Sequence, residues 1–402
     1  MKPIHKLFTI YLFTLGSLGA NAQIAIKGET IYTMAGQPLK NGVVLVKDGK
    51  IEAVGTNVRI PANYQTYSAK VVTPGLVDAH TTLGLAGALN VDAVQDQLET
   101  SNAIQPELRA IDAYNPNDPL VAYARSLGVT TVHTGHGPGA LISGQTMITK
   151  TSGQTVGPAL LDTTTMIAMT LTDAVRSNFK TPGTRAKSVA MLRTELMAAQ
   201  EYRKKMENTD ASKHPSRNLK MEYLSGLLSG QYKALISAHK ATDISSALRL
   251  AQEFGLQMVL DGAAEAYLLV DEIKAAGIPV IIHPTMMRAG GDTKNASMET
   301  AAVLAKAGIP IAIQSGFEGY VPRTRIILYE AGIAASNGLS FEQALAAITI
   351  NAAKIIGQDR RVGSLEKGKD ADLVLFDGDP FEYTSHVCKV IIDGKIESDK
   401  CK

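Results

Sequence analysis

Residues 233–262 read KALISAHKATDISSALRLAQEFGLQMVLDG and contain one complete unit of the fold. An apolar run of strand length, Lys233–His239, is followed by helical periodicity at 242–254 and then by a second apolar run, Leu256–Asp261. Short continuous apolar strands alternating with helices belong to a parallel sheet covered on both faces. The same kind of run recurs upstream at Val71–His80, Val129–Thr134, Gln145–Lys150 and Thr165–Leu171, and downstream at Ile278–His283 and Ile309–Ser315. Further helices are expected near 186–207, 264–276, 296–307, 322–337 and 340–353. Eight strand candidates close naturally into a (β/α)8 TIM-like barrel. A doubly wound open sheet is the runner-up, but no Gly-rich phosphate loop opens the first unit. Segments 84–120 and 208–232 read as long loops of the kind that cover barrel mouths.

Both ends of the chain are written differently. Glu29–Met34, Gly42–Lys47 and Lys50–Val54 are short strands rich in Val and Ile, with a hairpin signal at Asp48-Gly49. Asp372–Phe376, Lys389–Ile392 and Lys395–Glu397 return to that style around Asp393-Gly394. The expectation is a small β-sandwich built from residues 23–72 and 360–402, enclosing a barrel at 73–359.

The first 22 residues are set apart. Lys2, His5 and Lys6 precede an uncharged run from Leu7 to Ala20, and Ala20-Asn21-Ala22 is a small-x-small cleavage signal. This reads as a secretory signal peptide cut after Ala22, giving a periplasmic or secreted protein; the run is too short for a membrane span. Removing Lys2 and Lys6 from 40 basic residues leaves 38, against 38 acidic ones. That balance, with 5% aromatic residues and no Trp, leaves no basic stripe for nucleic acid or an anionic membrane. A small-molecule substrate is the expected partner, and self-association is compatible with the sequence. Cys388 and Cys401, the only cysteines, flank the Asp393-Gly394 hairpin. In an oxidising compartment they either bridge or stand as two free thiols.

Reactive groups in a barrel belong at the C-terminal ends of its strands. Of the seven histidines after the leader, His80, His133, His136, His239 and His283 stand at such ends, where random placement would put roughly one. Converging imidazoles suit a metal, a general base, or both. Lys150, Asp261 and Ser315, the last followed by Glu318, end other strands. A bare Lys150 ammonium closing an apolar strand is costly unless paired or modified. The blander readings are a lysine reaching solvent and an Asp261 capping the next helix.

Val71–His80 (VVTPGLVDAH) resembles the first barrel strand of the amidohydrolase superfamily, and Val43–Gly55 (VVLVKDGKIEAVG) resembles the strands before it. Gly363–Pro380 (GSLEKGKDADLVLFDGDP) is similar to the segment that returns to the small β domain in those proteins. The likeness covers 24–398 and is closest to imidazolonepropionase-like and prolidase-like members. It implies a hydrolase that cleaves an amide or other C–N bond with a water activated by Zn²⁺ or another divalent metal. It further implies metal ligands at His80, Lys150 (as a carboxylated, bridging lysine), His239 and Asp261, the last in place of the usual histidine. Two positions depart from the pattern. Thr82 replaces the second histidine of His-x-His, and Gly316 stands where the catalytic aspartate belongs. Glu318 is the candidate to replace the missing base; alternatively His133, His136 and His283 supply a rebuilt metal site or an acid–base pair. The alternative is a catalytically degenerate barrel serving as a binding or scaffold protein.

Overall fold

The computed structural model describes residues 23–89, 91–317 and 324–401, so the leader and Glu318 lie outside the described residues. Four strands open the chain: β1 (Ile24–Ile31), β2 (Leu39–Lys47), β3 (Lys50–Gly55) and β4 (Gln65–Pro74). The barrel strands follow as β5 (Leu76–Thr81), β6 (Val129–Gly135) and β7 (Ile142–Lys150). After a short β8 (Leu160–Asp162) come β9 (Met166–Thr170), β10 (Lys233–Ala238), β11 (Met258–Gly262), β12 (Val280–Ile282) and β13 (Ile311–Ile313). The C-terminal strands are β14 (Leu373–Phe376), β15 (Val387–Ile392) and β16 (Lys395–Ser398).

The barrel sheet runs β13-β12-β11-β10-β9-β7-β6-β5, with β8 pairing on β7. A parallel bridge between Thr81 and Gly316 brings its two edge strands together. All eight apolar runs seen in the sequence contribute a strand. Inside, Val77, Ile148, Met166, Leu235, Val259, Ile281 and Ala312 pack on one another, one from each of seven strands. Ala352, Ala353 and Ile355 of the helix Ile350–Ile355 join the same cluster. The larger cluster lies between the strands and the surrounding helices, where Leu192, Leu196, Ile244 and Leu250 are buried.

One strand breaks the pattern. β7 pairs antiparallel with both β6 and β9. Only six residues separate the end of β6 from the start of β7, too few for the dozen or more that a parallel crossover needs. The chain therefore turns back, and Lys150 finishes level with Thr131, near the start of β6.

The two chain ends form one seven-stranded sheet, in the order β16-β15-β14-β4-β1-β2-β3, rather than the expected sandwich. β14 pairs along β4, with Leu373 opposite Pro74 and Phe376 opposite Val71, so the C-terminal strands extend the sheet instead of stacking on it. Gly75 carries the chain from this sheet into the barrel at close quarters: a Cβ there would stand 2.1 Å from Thr130 Oγ1. Segment 208–232 differs from its loop reading, because Leu219–Leu228 is a helix capped by Asn218. The expected helix at 340–353 is two helices, Phe341–Ala347 and Ile350–Ile355. No described helix is long and apolar enough to cross a membrane.

Candidate active site at the barrel mouth

Five parallel strands, β5, β10, β11, β12 and β13, bring their C-terminal ends to one face of the barrel. A cavity of about 170 Å³ opens there, lined by Ser237, His239, Asp261, Gly262, His283 and Gln314, among others. Each of these residues lies in the last two positions of one of four strands or immediately follows it, which is why a parallel barrel converts residues far apart in sequence into one site.

Asp261 is the hub. His80 Nδ1 donates to its Oδ1 at 2.9 Å, and Gln314 Nε2 donates to the same oxygen at 2.9 Å. Ser237 Oγ donates to Oδ2. Burial alone would raise this carboxyl, but the His80 charge and these hydrogen bonds hold it below the usual carboxylate range. Burial likewise pushes the His80 imidazole down, yet Asp261 outweighs it and the net shift is upward. With Nδ1 committed, His80 Nε2 is buried and has no hydrogen-bond partner.

His283 is built the same way. Its Nδ1 donates to the Gly262 carbonyl at 2.9 Å, which places the proton there and leaves Nε2 a lone pair. That Nε2 is buried without a partner. Burial, with the neighbouring His239 acting in the same direction, lowers this imidazole to about 4, so it is neutral at pH 7. His239 is also lowered by burial, and its Nδ1 is unpartnered. Gly262 makes room for that ring: at φ +80° it is in the left-handed region, and a Cβ would lie 2.6 Å from His239 Cε1.

The remaining expected residues do not gather here. His133 is buried with both nitrogens satisfied: Nδ1 donates to the Ala79 carbonyl at 2.7 Å, and Thr146 Oγ1 lies 2.6 Å from Nε2. Burial lowers it to about 3, and it acts as a structural tie between β5, β6 and β7. His136 is buried beside Gly144, lowered to about 4 by burial, and is not among the residues lining the cavity. Thr82 is buried facing Gly137 and adds no imidazole. Gly316 closes the barrel instead, its N–H donating to the His80 carbonyl at 3.2 Å.

Lys150 requires a correction. It lies at the opposite end of the barrel, only 1% exposed, with its ammonium 2.8 Å from Asp370, 3.1 Å from Asp372 and 2.5 Å from Asp393. The reversed direction of β7 puts it there, away from His80 and His239, so it is no bridging ligand at the mouth. Asp261 also departs from its expected role. Both oxygens are engaged, and it orients His80. Ser237 and Gln314 were not singled out from sequence. Ser237 stands two residues before His239, the spacing that returns a strand side chain to the same face.

A fit for a metal can be judged from the donors. A metal-binding histidine characteristically donates its other ring N–H to a carboxylate or carbonyl, which fixes the tautomer. His80 and His283 both do so, through Asp261 and Gly262 respectively, and each leaves a buried unpartnered Nε2. The donor types and tautomers therefore suit a divalent ion, and the rings must draw together for three of them to hold it. Of these donors, His239, Asp261 and His283 line the cavity and His80 reaches it through its bond to Asp261; among the described residues, no three histidine or carboxylate donors at the mouth lie within 4.8 Å of one another.

Comparison with known proteins agrees with this architecture. The model of the Amidohydrolase family matches residues 314–396. An amidohydrolase from Thermotoga maritima MSB8 is 31% identical in sequence, with a TM-score of 0.88 covering 93% of this chain and 99% of its own. Imidazolonepropionase of Brucella anthropi is 25% identical over 92% of this chain and 93% of its own length. Amidohydrolase tasK of Hapsidospora irregularis is 25% identical over 89% of this chain, which spans 40% of that longer protein. The chain belongs to the amidohydrolase family.

Proposed function

We propose that this amidohydrolase-family hydrolase cleaves an amide or other C–N bond of a small molecule with an activated water, and that His80, His239 and His283 would hold a divalent metal ion, Zn²⁺ by preference for imidazole donors. The observation that carries this reading is the set of unpartnered buried imidazole nitrogens at the mouth, with two of the rings tied back through Nδ1. When bound, such an ion lowers the pKa of a water and polarises a carbonyl.

The chain's own residues supply the rest. Asp261 holds the His80 ring in place, while Ser237 and Gln314 hold Asp261. The Gly262 carbonyl keeps the His283 proton on Nδ1, so that Nε2 is available to accept a proton or a ligand bond. Pro284, Met287 and Phe317 line the apolar side of the cavity and limit water around the scissile group. A scaffold role is disfavoured because the unpartnered nitrogens of His239 and His283 belong to rings that line one cavity, whereas His136, also unpartnered, stands off it.

Elemental analysis of the purified protein, expressed with added Zn²⁺ and without chelator, tests the reading. About one ion per chain, lost in a His80→Ala/His239→Ala variant, is the expected outcome. Content far below one ion and unchanged by that variant would overturn metal dependence. Export through residues 1–22 is part of the proposal, and the Cys388–Cys401 disulfide supports it. N-terminal sequencing of the exported product should begin at Gln23; a retained leader would refute this.

A further inference from the structure

The disulfide joins Cys388 on β15 to Cys401 beyond β16, a separation of 13 residues in sequence. Asp377, just past the end of β14, completes the neighbourhood. Its carboxylate and the two sulfurs all lie within 4.8 Å of one another, the only such trio of histidine, cysteine or acidic donors among the described residues. The three line an open cavity of about 860 Å³ on the small sheet, remote in sequence from every residue of the barrel mouth. Cys401 is exposed, so a reductant can reach the bond.

The carboxylate is held for this position. His386 donates to Asp377 twice, through its backbone N–H at 2.6 Å and through Nδ1 at 2.9 Å. Hydrogen bonds of this kind orient a metal-ligating carboxylate. Lys389 pairs with Asp399, which anchors the tail two residues before Cys401.

We propose that the Cys388–Cys401 disulfide conceals a redox-gated site for a thiophilic divalent cation, formed by both thiolates and Asp377 once the bond is reduced. A dithiol or phosphine reductant delivers two electrons to the S–S bond. The bond breaks, two protons from solvent or reductant complete two thiols, and the reductant is oxidised. Cation binding then releases those two protons, forming two metal–sulfur bonds and one metal–oxygen bond. Two soft sulfurs and one oxygen select Zn²⁺, Cd²⁺ or Co²⁺ over Mg²⁺ or Ca²⁺. The ion re-closes the loop that the disulfide closed, so the C-terminal hairpin has a fastening in either redox state.

Cobalt is the probe, because sulfur-to-cobalt charge transfer reports thiolate ligation and is silent for histidine sites. The full chain, reduced with a phosphine under anaerobic conditions, should develop this absorption and saturate at a single Co²⁺ equivalent. The oxidised chain should not. Cys401→Ser, or Cys388→Ser as a second variant, should abolish the band, and Asp377→Asn should weaken binding by about tenfold or more. A His80→Ala/His239→Ala chain should keep the band in full, which separates this site from the one at the barrel mouth. No band in the reduced wild type, or an undiminished band in Cys401→Ser, would overturn the proposal.

Discussion

The two ends of the barrel treat their buried side-chain nitrogens in opposite ways. At the C-terminal mouth, His80, His239 and His283 each keep a buried nitrogen without a partner. At the other end Lys150 is equally buried, but three aspartates surround its ammonium and two of them take further cations or backbone N–H groups. Asp370 also pairs with Lys50 and Arg361, and Asp372 accepts the Asp393 N–H at 2.9 Å. Satisfied buried charge fastens a structure, whereas unsatisfied buried nitrogen is an invitation to a ligand.

The sharpest way to break this contrast is Lys150→Met. Removing the cation leaves a cluster of buried carboxylates uncompensated, at a cost of ~3–5 kcal/mol, read as a lower urea midpoint. A midpoint close to wild type would show that the cluster fastens nothing. Next is a pH test at the same end. Burial pushes the Asp372 carboxyl up to about 6 from its ordinary 3.8. A carboxyl raised in the folded state binds more protons there than in the unfolded chain. Its contribution is therefore present below about pH 4 and lost as pH rises through 6, roughly 3 kcal/mol in all. Asp372→Asn should flatten that decline between pH 4 and 6; an unchanged slope would reject the assignment. Asp370 has the opposite sign. Burial opposes its ionisation, yet the Lys150 charge holds its carboxyl down to about 2, so its contribution disappears only as pH falls toward 2. The smallest effect belongs to the mouth. Asp261→Asn keeps the shape but removes the charge that orients His80, and should weaken metal affinity by about 10- to 100-fold with little loss of fold. Unchanged affinity would reduce Asp261 to a packing residue.

Much of this molecule was legible before folding. The barrel strands showed as apolar runs because a strand buried on both faces has no polar alternation to hide it. His80, His239 and His283 showed because each terminates such a run. What stayed hidden was direction: the apolar run Gln145–Lys150 reads alike in a parallel or an antiparallel strand. The missed clue was length, since Thr134 and Gln145 are too close for a helical crossover. That single reversal misplaced Lys150, although the requirement that its ammonium be paired was met by Asp370, Asp372 and Asp393. The likeness at both chain ends suggested two stacked layers, but edge pairing between β4 and β14 is a tertiary choice that strand composition does not encode. The tautomer of His283 was beyond reach for a similar reason: it depends on the Gly262 carbonyl, 21 positions away.

The reversed β7 also changes how this barrel should be engineered. Customary libraries randomise the residue at the end of each strand and the few that follow it, on the premise that those positions meet the substrate. Applied to Lys150 and Thr151, that recipe would spend its diversity on the fastening of the small sheet and return mostly insoluble clones. The productive window for this strand lies before it, in residues 136–141, where the β6–β7 turn reaches the open face and Pro138 already lines the cavity.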